Sequence, residues 1–211
     1  MPPSVPPIDA PDAAPARARR PRLDHESVLR AAETLVDREG YDALSMTLLA
    51  AELDTRVSSL YNHVANLEDL RAEIQVRAMQ LLGKHVRSAA MGHAGAEGLR
   101  VLSHSLREFA RAYPHRYAGM TREPIDRTSF FAAAAETIEA LAVMVRSTGL
   151  PEERILMTGM AIFSALHGFV SLEVSGYFGG VDDLDSVFAQ VIRGAVTAAV
   201  LEATQPVSAN A

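Results

Sequence analysis

The sequence predicts an all-α protein: an N-terminal three-helix unit of helix-turn-helix type, followed by a larger C-terminal helical domain. Three observations carry this. From Leu23 onward apolar residues recur every three or four positions, the period of a helix with one buried face. No segment alternates apolar and polar residues between turn signals, so no strand is expected. The helical runs are punctuated by Gly40, Tyr113-Pro114, Gly149-Leu150-Pro151 and Gly179-Gly180.

The elements follow in order. Residues 1–22 hold seven of the eleven prolines and four arginines, Arg17, Arg19, Arg20 and Arg22, with few large apolar groups. Such a segment buries too little surface to offset the entropy of ordering and is expected to be a flexible arm. Asp24 is placed to cap a first helix carrying Val28, Ala32, Leu35 and Val36, and Gly40 stands where a left-handed C-terminal cap belongs. Ser45 or Thr47 can cap a short second helix, and a turn at Asp54-Thr55-Arg56 leads to a third, Val57 to Val64. Asn66 then caps a long fourth helix, Leu67 to Ala90, with Glu68 and Asp69 at its positive end. Further helices are expected near 95–113, 115–122, 126–148, 152–177 and 183–203. The expected domains are the arm (1–22), the helix-turn-helix unit (23–66), a helical ligand-binding and dimerisation domain (67–205) and a tail (206–211).

Composition narrows the chemistry. The 211 residues are 48% hydrophobic and 22% charged, enough to bury a sizeable core. The chain has no cysteine, which removes disulfides, thiolate metal sites and cysteine nucleophiles. A net charge of -6 argues against coating nucleic acid by bulk electrostatics, so any polyanion contact should be local. The proline-rich start does not read as a signal peptide. The apolar run Phe130 to Val145, interrupted by Glu136 and Glu139, is expected to be too short to cross a bilayer. A cytoplasmic protein with no membrane partner is the expectation.

Three short helices before a long one, with the second and third only about three residues apart, form a helix-turn-helix arrangement. The first helix with Leu48, Leu49, Leu53 and Leu60 would make a small core that holds the third helix proud of the surface. Ser58, Ser59, Tyr61, Asn62 and His63 then lie on its free face, where hydroxyls and amides can meet base edges and phosphates in a major groove. The run from Ser45 to Leu70, above all Leu60-Tyr61-Asn62-His63-Val64-Ala65-Asn66, resembles the DNA-binding segment of TetR-type transcriptional regulators. The resemblance implies that Tyr61 and His63 approach phosphates, that Val57, Ser58, Ser59 and Asn62 face bases, and that Thr47 touches the backbone. Arg56 joins this set, and the arginines of the arm are expected to reach an adjacent minor groove. Three positions depart from the family pattern. Asp54 replaces the usual turn glycine, Arg56 stands where a small capping hydroxyl is common and leaves the cap to Thr55, and Leu67 replaces a frequent lysine.

Nine of the twelve aromatic residues lie between positions 100 and 180, with Met120, Met144, Met157 and Met160 in the same window. As a set they suit a cavity for a small apolar or amphipathic ligand, lined by Phe109, Tyr113, Tyr117, Phe131, Met144, Phe163 and His167. His104 and Thr158 are further polar candidates. Singly, each of these side chains is as well explained by packing. The segment Ala161 to Glu173 resembles a TetR C-terminal type marked by a Trp…His-Gly signature, with Phe163 in the tryptophan's place and His167-Gly168 retained. Tyr113-Pro114-His115-Arg116-Tyr117 matches an upstream feature of that type.

From Val187 to Leu201 only Arg193 is charged, and a helix apolar on most of its circumference needs partners on several sides. The row Ala161, Ala165, Gly168 and Leu172 on the preceding helix allows close approach. A homodimer through a four-helix interface follows, and its symmetry implies a pseudo-palindromic operator in double-stranded DNA, on which the TetR resemblance implies a repressor. The competing readings are weaker. Ser164, His167 and Glu173 cannot converge as a triad along one helix. His85, His93, His104, His115 and His167 are scattered, so neither metal nor cofactor is expected. A helical protein–protein adaptor, or a small-molecule-binding protein that binds no DNA, is the alternative, and it has no use for Tyr61, His63 or the arginine arm.

Overall fold

The computed structural model describes residues 23–204, which form nine helices and no strand. They are α1 (His25–Glu39), α2 (Met46–Glu52), α3 (Val57–Leu60), α4 (Leu67–Ala90), α5 (Gly95–Ala112), α6 (Pro114–Met120), α7 (Arg127–Arg146), α8 (Glu152–Val174) and α9 (Leu184–Thr204). The proposed DNA-contacting arm with Arg17, Arg19, Arg20 and Arg22, and the tail 206–211, lie outside the described residues.

Caps fix the N-terminal helices. Asp24 and Ser27 form a reciprocal capping box on α1, which ends at Gly40 with φ 94° and ψ 157°, positive in φ but outside the left-handed helical well. Ser45 rather than Thr47 caps α2, its Oγ accepting the Leu48 N–H at 3.2 Å. The next turn closes differently from expectation. Asp54 takes φ 46°, and the N–H groups of Asp54 and Thr55 bond back to Ala51 and Ala50. That closure makes Arg56, not Thr55, the residue that caps α3, with extended backbone and no side-chain cap bond. The third helix is also shorter than expected. After Leu60 the N–H groups of Asn62 and His63 bond to carbonyls three residues back, so the ladder tightens into a turn. Asn66 caps α4 as expected, accepting the Asp69 N–H at 2.8 Å.

Two buried clusters organise the chain. One joins Val28, Leu35 and Val36 of α1 with Leu49, Leu60 and the start of α4, Leu70 and Ile74. The other begins farther along the same α4, at Ala78, Leu82 and Val86, and extends through α5 to α9. A single helix therefore contributes to both cores, with no linker between them. Within the second core α7 lies along α4, and Met144 of α7 fills the space over Gly98, where a side chain would collide with it.

One expectation is corrected here. α7, α8 and α9 are each long and apolar enough to cross a membrane by length and composition, and α7 reaches that length because it runs beyond the segment 130–145 to Arg127 and Arg146. In this fold one side of each of these helices packs on the core instead, as Phe130, Val145, Ile162, Val170, Phe188 and Ile192 show.

The short α6 bridges the two cores. His115 Nδ1 lies 3.1 Å and 3.0 Å from the carbonyls of Val36 and Asp37 at the end of α1. Arg116 grips the Asp37 carboxylate with two bonds of 2.7 Å. Beyond the helix Arg122 holds Asp42 in the same manner, and Arg77 of α4 reaches Glu26 and Glu33 of α1.

Candidate nucleic-acid interface

The tight turn after α2 and the burial of Leu60 set the direction of α3. Leu60 and Val64 point into the first core, so the residues between and before them face outward. Thr47, Arg56, Ser58, Tyr61 and Asn62 are exposed, Tyr61 to 53%, while Val57, Ser59 and His63 are partly covered. The structure thus leaves all the predicted residues of this unit at least partly open to solvent.

Their polar groups are not used by the fold. Among the described residues the side chains of Thr47, Arg56, Ser58, Ser59, Tyr61 and Asn62 make no hydrogen bond or ion pair. The contrast with neighbouring cations is sharp. Arg30, Arg38, Arg77, Arg116 and Arg122 all hold carboxylates, whereas Arg56 is left to solvent. A row of donors, acceptors and one uncommitted cation on a rigidly seated turn suits contact with base edges and phosphates. Asp24, at the start of α1, has its carboxyl held below the usual range by hydrogen bonds from Ser27 and, more weakly, by Arg30 and His63.

The residues predicted for a ligand divide. Phe109, Tyr117 and Met144 are buried, while Tyr113, Phe131 and Phe163 are partly exposed. Tyr117 of α6 and His167 of α8 meet at 2.8 Å, and the His167 ring stacks on Phe163 with 5.5 Å between centroids. Burial raises the Tyr117 phenol and lowers the His167 imidazole, so it favours the neutral form of both partners in this hydrogen bond. Phe109 packs on Tyr113 at 5.3 Å. Phe131 sits against Phe130 and Arg127, and with Met144 it stands outside both groups. An open concavity of about 460 Å³ between α4 and α7 is lined by Met144, Met91, Val143 and Glu136 among others. Another of about 400 Å³ lies beside α5 at Arg100, His104 and Ser105. Neither is lined by the Tyr117–His167 group. Among the described residues no three His, Asp or Glu side chains gather as a metal site.

Sequence reasoning missed a buried charged cluster. Arg107 of α5, its side chain 5% exposed, forms bonds of 2.8 and 2.7 Å to Glu173 of α8, and Arg111 joins them. Burial alone would raise the Glu173 carboxyl, but the hydrogen bonds from Arg107 and Arg111 outweigh it and hold the group below its ordinary value. Arg107 also lies 4.6 Å from the Phe188 ring centroid and pairs with Asp185 at 2.8 Å, which fixes the start of α9. The available signal was an arginine between Ser103 and Ala110 on the apolar stripe of α5.

The outer faces of α8 and α9 leave many apolar side chains uncovered. Leu156, Met157, Met160, Phe163 and Leu172 are exposed on α8, and Val187, Val200 and Leu201 on α9. The small residues Ala161, Ala165 and Gly168 lie exposed among them.

Comparison with known proteins agrees with this arrangement. A family model described as the tetracyclin repressor-like C-terminal domain matches residues 99–195. An uncharacterised HTH-type transcriptional regulator of Mycobacterium tuberculosis is 34% identical over 177 residues, covering 83% of this chain and 81% of that one. Among solved structures, a TetR variant from Acinetobacter baumannii in complex with minocycline superposes with a TM-score of 0.64 at 20% identity, over 90% of this chain and 100% of that one. BioQ with its double-stranded DNA operator gives a TM-score of 0.60 at 20% identity, over 83% and 99%. At that identity the structural likeness speaks for the fold.

Proposed function

The chain belongs to the TetR family of helix-turn-helix transcriptional regulators, and from that membership we propose that it acts in the cytoplasm as a homodimeric, ligand-responsive repressor of a pseudo-palindromic operator. It is a DNA-binding regulator and not an enzyme. The observation that carries the reading is the α3 face, where Arg56, Ser58, Ser59, Tyr61 and Asn62 spend no polar group on the fold. In the proposed complex Val57, Ser58, Ser59 and Asn62 face bases, while Tyr61, His63 and Thr47 meet phosphates. Arg17, Arg19, Arg20 and Arg22 are assigned to a minor groove beside the head.

The second copy sits on the α8–α9 face, whose exposed methionines, leucines and small residues suit a four-helix interface. Two-fold symmetry then sets the two α3 turns about 35 Å apart in successive major grooves. A small apolar or amphipathic ligand enters near Phe163, His167 and Tyr117, with Phe109, Tyr113, Phe131 and Met144 as further candidates. It releases DNA by binding the conformation that fits the operator less well. The ligands and operator of the solved relatives support this reading by kind, not by identity.

Selection of bound duplexes from a random pool, followed by footprinting, tests it. The expected outcome is an inverted repeat with half-sites one helical turn apart. An asymmetric footprint with no repeated half-site would reject the dimeric reading.

A further inference from the structure

Tyr41 leaves the end of α1 just after Gly40 and lays its ring on α6 at Gly119. A Cβ on Gly119 would stand 2.8 Å from the ring's Cγ and 2.9 Å from its Cε2, well inside van der Waals contact. Gly119 needs no left-handed backbone, since it is not among the positive-φ glycines. It sits inside a helix, where glycine is a poor choice on propensity, so close approach is what the position requires. The contact also crosses a boundary. Tyr41 belongs to the core of α1 to α3, whereas Tyr117 and Met120 on either side of Gly119 belong to the core of α5 to α9.

The surroundings hold both partners in place. The guanidinium carbons of Arg71 and Arg122 lie 5.7 Å and 5.4 Å from the centre of the Tyr41 ring. Its hydroxyl donates to the Arg71 carbonyl at 3.2 Å. The buried Gln75 amide donates to the Gly119 carbonyl at 3.1 Å and accepts the Ile125 N–H at 3.0 Å. Nothing in this assembly is a flexible tail that could absorb an inserted methyl group.

We propose that Tyr41 on Gly119 is the seat that fixes the angle of the DNA-reading head on the rest of the protomer, and that Gly119 is a positioning residue for operator binding. The inference rests on the reading in which two heads engage one operator. A shift at the seat leaves each α3 face intact and changes how the pair of heads is spaced. Contacts made by one head alone are preserved, and simultaneous engagement of two half-sites is weakened.

The test uses the full chain and two probes: the duplex that the wild-type protein recovers from a random pool, and a duplex lacking that site, at low salt. Gly119→Ala is expected to bind the recovered duplex about tenfold more weakly, while binding to the siteless duplex and dimer mass stay near wild type and the thermal midpoint falls by a few degrees, as crowding a packed contact requires. Tyr41→Leu combined with Gly119→Ala is expected to recover most of the loss, because a smaller side chain makes room for the methyl group. A merely destabilising substitution would instead weaken binding to both duplexes alike, in proportion to the folded protein lost. Binding by Gly119→Ala within about twofold of wild type overturns the inference, and so does a double variant no better than Gly119→Ala. If Gly119→Ala does not fold, Tyr41→Trp crowds the seat from the other side and carries the same expectation. If neither folds, the contact is core packing and the inference falls. A wild-type protein that recovers no duplex with two half-sites instead rejects the dimeric reading itself.

Discussion

The α3 turn and the outer face of α8 each leave exposed what a folded protomer has no use for, and the kind of surplus differs. On α3 the surplus is polar: Ser58, Tyr61 and Asn62 have hydrogen-bonding groups with no internal partner. On α8 it is apolar: Met157 is 72% exposed and Phe163 42%. Unspent hydrogen-bonding capacity is cheap in water and becomes specific only against another patterned polar surface. Uncovered apolar area carries a steady cost until something apolar covers it. The difference supports the proposed placing of nucleic acid on one surface and a second copy on the other.

The most severe way to break the comparison is to charge the apolar surface. Gly168→Arg places a cation in the middle of that face, and no atom lies within 4 Å of the added Cβ, so the side chain starts without a clash in its own protomer. We expect a monomer in sedimentation analysis and a loss of operator affinity of about 100-fold or more, because bivalent engagement is gone. A dimer of unchanged operator affinity would refute the assignment of that face. Next in size, Glu173→Ala removes the carboxylate that neutralises the buried Arg107, with Asp185 left as a partner. The expected cost is about 3 kcal/mol of stability, read as a fall of roughly 6–12 °C in Tm. The surviving folded fraction should bind operator normally, since this polar pair, unlike those of α3, is already committed.

Smaller effects sharpen the polar side. Asn62→Ala should cost about 1–3 kcal/mol on the preferred duplex and relax the base preference at one position of each half-site. Tyr61→Phe should weaken binding a few-fold on all sequences alike, since a phosphate-facing hydroxyl carries no base information. Equal sequence dependence of the two variants would contradict the division of roles. The smallest effect concerns pH. Burial lowers the His167 imidazole below its ordinary value, so the unfolded chain takes up a proton at a higher pH than the folded one. Stability conferred by neutral His167 is therefore complete above about pH 6.5 and declines as pH falls through the folded-state value. Urea titrations between pH 7 and 5 should show that decline, and His167→Gln should flatten it.

Much of this was legible in the sequence, for reasons particular residues make plain. Asp24 and Asn66 are cap residues placed just before an apolar-periodic run, so the starts of α1 and α4 could be read directly, while that of α2 was narrowed to Ser45 or Thr47. The α3 face was legible because Leu60 and Val64 must be buried, which turns Ser58, Tyr61 and Asn62 outward. The cap at Arg56 was not, since it follows from a left-handed Asp54 that closes the turn one residue later. The cluster of Arg107, Glu173 and Asp185 was hidden because its members lie 66 and 78 positions apart, and periodicity reports a buried face without naming what lies across it. For the same reason a set of aromatics that looked like one lining separates into Tyr117 with His167 and Phe163, Phe109 with Tyr113, and Phe131 at the surface.

The 24 residues of α4 run unbroken from the first core into the second. At 1.5 Å per residue that rod is about 36 Å long. Anything fixed to its beginning moves on a long arm when its far end is turned. A rotation of about 5° would carry the reading turn through roughly 3 Å, close to the rise of one base pair. Mechanical gain of this kind makes the operator a gauge of angle. A disturbance too slight to unsettle the packing around Leu82 and Val86 can be large enough at α3 to miss a groove.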